Sequence, residues 1–371
     1  MGIMGVVTLP MTNTVNNRQL FYIIFLVLAT YDALTIPYIM ARTTGRGGWI
    51  TIIAASLIFA LAAVVITKLQ NMHKGKMIFE YCTEIFGPVL SYIISFAYIL
   101  KYAFLMVYLN SQVFGLIQTE FLTRTPIWAT VSLGLAVFGF IAYKGITNVA
   151  RLFEIIAPLS IVSTVFILIL VLTQGDMNNI LPLIEPDHII DYVSALKNMV
   201  LPFMGLSVIM TIPFSSRNKK ASIWAFLGVL SIGAYYVMIM ESSFSITGIN
   251  TLMYYKTGVI ESFRLVDFPV IERIDVLFMT VGFSGMFMGI TFIYTAMTEH
   301  VCRMFPKIKR HFIVLVIGTI IFIINMFYHD LRRVNDTISV VLMIIVAFMS
   351  TVVPVFLLIM SKVKKSAQKD N

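Results

Sequence analysis

Thr30-Tyr31-Asp32-Ala33-Leu34-Thr35-Ile36-Pro37 lies inside the first long apolar segment of the chain, Leu20 to Met40. It sets a carboxylate about midway through a segment long enough to cross a bilayer. A charge at the middle of a transmembrane helix costs roughly 2.5–3.5 kcal/mol on insertion scales, so such residues usually face a partner, a cavity or a pathway. Asp32 is therefore read as the centre of a site, and the other apolar segments as the cage around it.

The composition says what kind of cage. Of 371 residues, 59% are hydrophobic and 12% charged, and the mean hydropathy is +0.91. That leaves too little polar surface to cover a soluble globule of this size. The expectation is an all-α integral membrane protein, one polytopic domain over residues 1–371 with short cytoplasmic tails. The net charge of +9 sits in short clusters between apolar segments, the pattern of cytoplasmic loops rather than of a nucleic-acid surface. Cys82 and Cys302 are far apart, without CxxC spacing or neighbouring histidines, and are read as reduced thiols. Met1 to Asn17 lacks the charged and apolar regions of a signal peptide, and Met11 competes with Met1 as the start.

Ten windows have the length needed to cross about 30 Å of hydrocarbon: 18–40, 49–69, 88–118, 126–143, 152–173, 194–213, 221–247, 270–299, 311–328 and 337–360. The positive-inside rule orients them. With the N-terminus in the cytoplasm, 17 of the 27 basic residues fall in inner segments and seven in outer ones, so both termini are expected inside. The sixth window carries Leu201-Pro202-Phe203-Met204-Gly205-Leu206-Ser207 at its middle, and proline there breaks or kinks a helix. The first window carries Thr30, Asp32, Thr35 and Pro37. Interrupted helices one and six, five helices apart, point to a 5+5 inverted repeat with a midplane site. The first repeat is placed at about 18–173 and the second at about 194–360.

Depth supplies a partner for Asp32. It lies 14 residues above the inner end of its span and Lys101 lies 13 above the inner end of the third, so both sit about 20 Å up. A structural ion pair and a ligand-lining role are both open, and compatible. Glu241, late in span seven, and Ile271-Glu272-Arg273-Ile274-Asp275, opening span eight, form a second charged group, read as an outer gate or subunit contact or as a solvated helix end. Glu299 and His300 are read as interfacial. Tyr98, Tyr102 and Tyr294 are read as packing. Thr44-Gly-Arg-Gly-Gly-Trp reads as a turn. Metalloprotease, nucleophile-elbow and phosphate-loop motifs are absent, so neither an enzyme nor a cofactor is expected.

Several pieces together carry a resemblance: Asn17-Arg-Gln-Leu-Phe, Leu34-Thr-Ile-Pro followed by Gly47-Gly-Trp-Ile, Arg124-Thr-Pro-Ile, Arg151-Leu-Phe-Glu, Asn178-Asn-Ile-Leu-Pro and Ile271-Glu-Arg-Ile-Asp. In this order, over nearly the whole chain, they resemble the B subunits of bacterial spore germinant receptors, the spore-germination branch of the amino acid/polyamine/organocation transporter superfamily. The resemblance implies a LeuT-like fold, residence in the inner membrane of the spore, and assembly with A and C subunits. It also implies sensing of a small nutrient, an amino acid or a sugar. The alternative class is a secondary amino acid or cation transporter coupled to H+ or Na+.

The family's pocket, among spans one, three, six and eight, carries over to Thr30, Tyr31 and Asp32, to Lys101 and Leu105, to Phe203, Met204, Gly205 and Ser207, and to Gly289 and Ile293. Two departures stand out. The family's Gly-x-Gly in span one is here Thr30-Tyr31-Asp32, and its Gly-x-Glu in span six is Gly205-Leu206-Ser207. A rewired pocket follows, with Asp32 accepting an ammonium or sugar hydroxyls and Lys101 holding Asp32 or an anionic group of the ligand.

Overall fold

The computed structural model describes residues 15–30, 33–184, 189–214, 218–266, 273–331 and 336–367. Met1, Met11, Tyr31, Asp32 and Glu272 lie outside the described residues. Every element among those described is helical. In chain order they are α1 (Asn17–Ala29), α2 (Ile36–Thr43), α3 (Gly48–Met72), α4 (Ile78–Phe86), α5 (Pro88–Glu120), α6 (Ile127–Tyr143), α7 (Ile146–Gln174) and α8 (Ile189–Ser194). Two 3₁₀ stretches, Ala195–Met199 and Leu201–Thr211, precede α9 (Ala221–Thr247), α10 (Ile249–Leu252), α11 (Gly258–Arg264), α12 (Ile274–Met304), α13 (Arg310–Leu331) and α14 (Asp336–Ala367).

Seven of these helices are long and apolar enough to cross a membrane, and the bent pair Ile189–Met199 and Leu201–Thr211 makes eight. The other two expected spans fall short of that length by themselves. Window 18–40 is divided into α1, of 13 residues, and α2, of eight, and window 126–143 is the 17-residue α6.

The division of the first window has local causes. Asn16 caps α1 reciprocally with Gln19: its Oδ1 accepts from the Gln19 amide at 2.8 Å, and Gln19 Oε1 accepts from the Asn16 amide at 2.9 Å, a capping box. At the other end the Thr30 hydroxyl donates to Leu26 O at 2.7 Å. Pro37 sits in the first turn of α2, where its missing amide is no loss. It starts the second half-helix instead of kinking a continuous one.

The sixth window departs from α geometry altogether. Its second part bends by 42° from the first and runs as 3₁₀ helix for 11 residues, far beyond the usual three or four. The neighbours supply what such a coil lacks. Ser350 of α14 donates to Met204 O at 3.1 Å, Gln70 of α3 donates to Ile212 O at 2.6 Å, and Tyr102 of α5 and Tyr236 of α9 make longer contacts, 3.4 Å each, to Ser207 O and Pro202 O. Pro202 to Thr211 are all buried. In a bilayer, where apolar burial between helices gives little drive, such interhelical hydrogen bonds and close packing hold the bundle, at about 0.6–2 kcal/mol each.

The face of the bundle that carries the N-terminus is laced shut. Asn218 Nδ2 donates to Val15 O at 2.9 Å and Gly75 N to Phe214 O at 2.8 Å. Arg303 pairs with Glu80 at 2.6 Å, Arg310 with Glu299 at 2.7 Å, and His73 Nε2 lies 3.1 Å from Ser361 Oγ. Glu299 and His300 are buried, not interfacial. The last turn of α12 is covered by α4 and the start of α13, elements that sequence windows treat as loop and neighbouring span.

α4 gives a direct check on this packing. Cys82 is fully buried and burial pushes its thiol up to about 12, while Cys302 is part-exposed. Thiolate is the reactive form. Maleimide at pH 7 is expected to label Cys302 and spare Cys82 in the folded protein, read by mass spectrometry; equal labelling would mean α4 is not seated.

Candidate functional site

Four elements meet where α1 breaks. Thr30 closes α1, the 3₁₀ stretch passes beside it, α5 rises past both, and α12 crosses behind. Gly289 of α12 makes the crossing close: a Cβ there would lie 1.9 Å from Thr30 Oγ1 and 2.9 Å from Leu26 O. Only glycine admits the last turn of α1 at that distance.

Lys101 of α5 is almost wholly buried. Its ammonium donates to Ser207 Oγ of the 3₁₀ stretch and to Ser350 Oγ of α14, the latter at 2.7 Å. The rings of Tyr98 and Tyr102 lie 5.4 and 5.9 Å away, within cation–π range. Among the described residues its partners are hydroxyls and aromatic faces, with no carboxylate. Tyr98 in turn donates to Met349 O at 2.7 Å. The lysine thus ties α5, the 3₁₀ stretch and α14 at one point.

The open space lies further along α5. A cavity of about 300 Å³ runs from Thr30, Ala33, Leu34 and Thr35 at the α1 break, past Tyr108, Leu109, Ser111 and Gln112, to Glu120 and the exposed Lys256 at the far face. This is the lower end of the range for small-ligand pockets. Its polar groups are hydroxyls and amides, with Glu120 and Lys256 at the far end, and Gln112 Nε2 donates to Tyr108 Oη at 3.2 Å.

Of the residues expected to contact ligand, Thr30 lines this cavity, and Thr30 and Ala33, which flank Tyr31 and Asp32 in the chain, both line it. Leu105, Phe203, Met204 and Ser207 are buried below it, as is Ile293. Phe203 stacks on Phe59 with ring centroids 4.7 Å apart. Gly205 lies inside the buried 3₁₀ stretch, and Gly289 receives α1. The lining on α5 begins one turn beyond Leu105. Its signal stands in the sequence: Tyr108, Gln112 and Thr119 continue the Lys101–Leu105 stripe at helical spacing.

The charged group at the far face is held together by a residue that window analysis leaves in a loop. Asp275, buried at the start of α12, is bound in bidentate fashion by Arg273 at 2.9 and 3.1 Å. Arg264 of α11 reaches Asp275 at 3.6 Å, Glu261 at 3.1 Å and Glu120 at the end of α5. Burial lowers the Arg264 guanidinium, but Glu120, Glu261 and Asp275 together hold it above its ordinary value. Glu241 stands apart from this cluster: neither of its carboxylate oxygens has a hydrogen-bond partner among the described residues.

Comparison with known proteins gives one consistent answer. The Spore_permease family, described as spore germination protein, matches residues 14–334. The spore germination protein YndE of Bacillus subtilis (strain 168) is 22% identical over 96% of this chain and 99% of its own. GerLB of Bacillus cereus is 22% identical over 87% of each chain, and spore germination protein B2 of B. subtilis is 21% identical over 70% of this chain and 74% of its own. Among solved structures, a Na+-coupled sialic acid symporter in a substrate-bound outward-open state superposes with a TM-score of 0.65 at 12% identity, over 91% of this chain and 77% of that one. The likeness is one of fold.

Proposed function

The chain belongs to the Spore_permease family of spore germination proteins, and from that premise we propose that it is the germinant-sensing membrane subunit of a nutrient receptor. The family is transporter-like and not enzymatic. In this reading a small nutrient, an amino acid or a sugar, enters from the far face and binds at the break between α1 and α2. The observation that carries the reading is the 300 Å³ cavity, largely apolar with polar side chains such as Ser111 and Gln112 among its lining, that ends at that break. Asp32 lies in the sequence between Thr30 and Ala33, two cavity-lining residues, and would accept an ammonium or hydroxyls from the ligand.

The architecture behind this reading is ten spans in one polytopic domain. α1 with α2 form one broken span, and α8 with the 3₁₀ stretches form its counterpart, as first elements of inverted repeats over about 18–173 and 194–360. Both termini face the cytoplasm and the cavity faces outward. Binding would favour one of two arrangements of the bundle by differential contacts, and A and C subunits would receive the change. The Arg264 cluster, which joins α5, α11 and α12 through Arg264, Glu120 and Asp275, would act with Arg273 as an outer gate or a subunit contact.

The test is germination of spores carrying this subunit with its cognate partners, against a panel of amino acids and sugars. Ser111→Phe, which fills the cavity, and Asp32→Asn are each expected to raise the required germinant concentration at least tenfold at unchanged receptor abundance. Unchanged responses in both would remove the pocket. Uptake of labelled nutrient by the chain alone in vesicles would favour the transporter class instead.

A further inference from the structure

A second concavity lies between α6 and α13, with Tyr294 of α12 among its lining. Its volume is about 550 Å³, larger than that of the cavity at the α1 break. Its walls are apolar in effect. The lining hydroxyls of Ser132, Thr319 and Tyr294 are all spent on backbone carbonyls, Ala129 O at 3.0 Å, Leu315 O at 2.9 Å and Val314 O at 2.7 Å.

The two ends of this groove differ. At the face carrying the N-terminus it opens between Tyr143 and His311. There the Lys144 ammonium stands 5.1 Å from the Phe140 ring and 5.9 Å from the Tyr143 ring, so its charge hangs over the mouth. Lys307 and Lys309 are exposed in the turn leading into α13. Glu299, an acid at the end of α12 on this face, is already taken by Arg310. From this mouth the lining runs along α6 only from Tyr143 to Ser132, and along α13 only from His311 to Phe322. Eleven residues of helix rise about 16 Å, close to half of the roughly 30 Å hydrocarbon thickness.

We propose that the groove between α6 and α13 is a binding site for an acidic phospholipid of the leaflet on the N-terminal side. One acyl chain would lie in the groove and the phosphate headgroup at Lys144, Lys309 and His311. The length decides against a partner's transmembrane helix, which would want a groove across both leaflets. The mouth decides against a neutral lipid: basic residues near a membrane surface each attract acidic headgroups by several-fold. The lipid would wedge α6 against α13 and so set the spacing of helices that pack on α12, the helix behind the nutrient cavity.

The full chain, purified in detergent, is incubated with an equimolar mixture of phosphatidylglycerol and phosphatidylcholine of matched chain length, and adducts are read by native mass spectrometry. Phosphatidylglycerol adducts are expected to exceed phosphatidylcholine adducts at least fivefold. Lys144→Gln with Lys309→Gln should bring the ratio to near parity, and Ala136→Trp, which fills the groove from an exposed position, should remove both adducts. Leu315→Trp serves the same purpose should Ala136→Trp fail to give a monodisperse protein. Parity in the unmodified chain, a preference that survives loss of both lysines, or adducts that survive both filled grooves would each overturn the assignment. So would cross-linking from Leu315→Cys to a partner protein, rather than to a photoactivatable phospholipid, in membranes containing the whole receptor.

Discussion

Spores whose receptor carries Lys101→Met are expected to lose most of their nutrient response, at least tenfold in germinant sensitivity, while the subunit itself remains folded and as abundant as before. The two halves of that expectation have different causes. Methionine nearly matches lysine in length and adapts to irregular spaces, so the volume between Tyr98 and Tyr102 stays filled. Replacing a buried charge by an apolar group of similar size is often neutral or stabilising. The hydroxyl left behind at Ser350 is not orphaned, since it also donates to Val346 O at 2.8 Å and Met204 O at 3.1 Å.

What disappears is the tie itself. Lys101 is the group that reaches both Ser207 in the 3₁₀ stretch and Ser350 in α14. Without it the 3₁₀ stretch loses its buried lysine hydrogen bond to α5 and its link through the lysine to α14, each worth about 0.5–1.5 kcal/mol. An equilibrium between two arrangements of this bundle would shift by about the sum of the two, which is a factor of ten or more in population. Germination assays and immunoblots on the same spores decide it, with a thermal melt of the purified subunit as the control. A normal response at normal abundance would make Lys101 a packing residue, and a collapse in abundance would make it a structural one.

Much of this arrangement was legible in the sequence because it depends on local chemistry. Thr30, Asp32, Thr35 and Pro37 announce the division of the first span, and Pro202 with Gly205 announces the bend in the sixth. Depth arithmetic sets Lys101 about 20 Å up its span. It does not say which side chains from other helices come to meet it, and the hydroxyls of Ser207 and Ser350 lie 106 and 249 residues away in sequence. Spacing along α5 contains the cavity stripe at Tyr108 and Gln112, but choosing between that stripe and the Lys101–Leu105 level needs the position of the α1 break. The Arg264 cluster is invisible to window analysis for a plainer reason: Glu120, Arg264 and Asp275 each sit at the edge of a different segment, and only the tertiary fold brings the edges together.

A paired substitution in α12 separates close packing from helix propensity within one helix. Gly282 has nothing within 4 Å of the Cβ it lacks, whereas Gly289 has Thr30 Oγ1 at 1.9 Å and the Leu26 carbonyl at 2.9 Å. Gly282→Ala should therefore be neutral or stabilising, by up to about 1 kcal/mol from propensity alone. Gly289→Ala gains the same propensity and must still displace the last turn of α1; overpacking of this kind costs typically 1–3 kcal/mol, and with a backbone carbonyl in the way about 3 kcal/mol is expected. Thermal unfolding of the two purified variants measures the difference. Adding Thr30→Ala to Gly289→Ala relieves the hydroxyl contact but not the carbonyl one, so it should restore part of the stability and no more. Full restoration would mean that α1 shifts freely against α12, and no restoration would mean that the carbonyl contact carries the whole cost. Equal midpoints for Gly282→Ala and Gly289→Ala would show that the two helices do not meet at Gly289. The cavity at the α1 break, whose inner end is the same turn of α1, would then need a different floor.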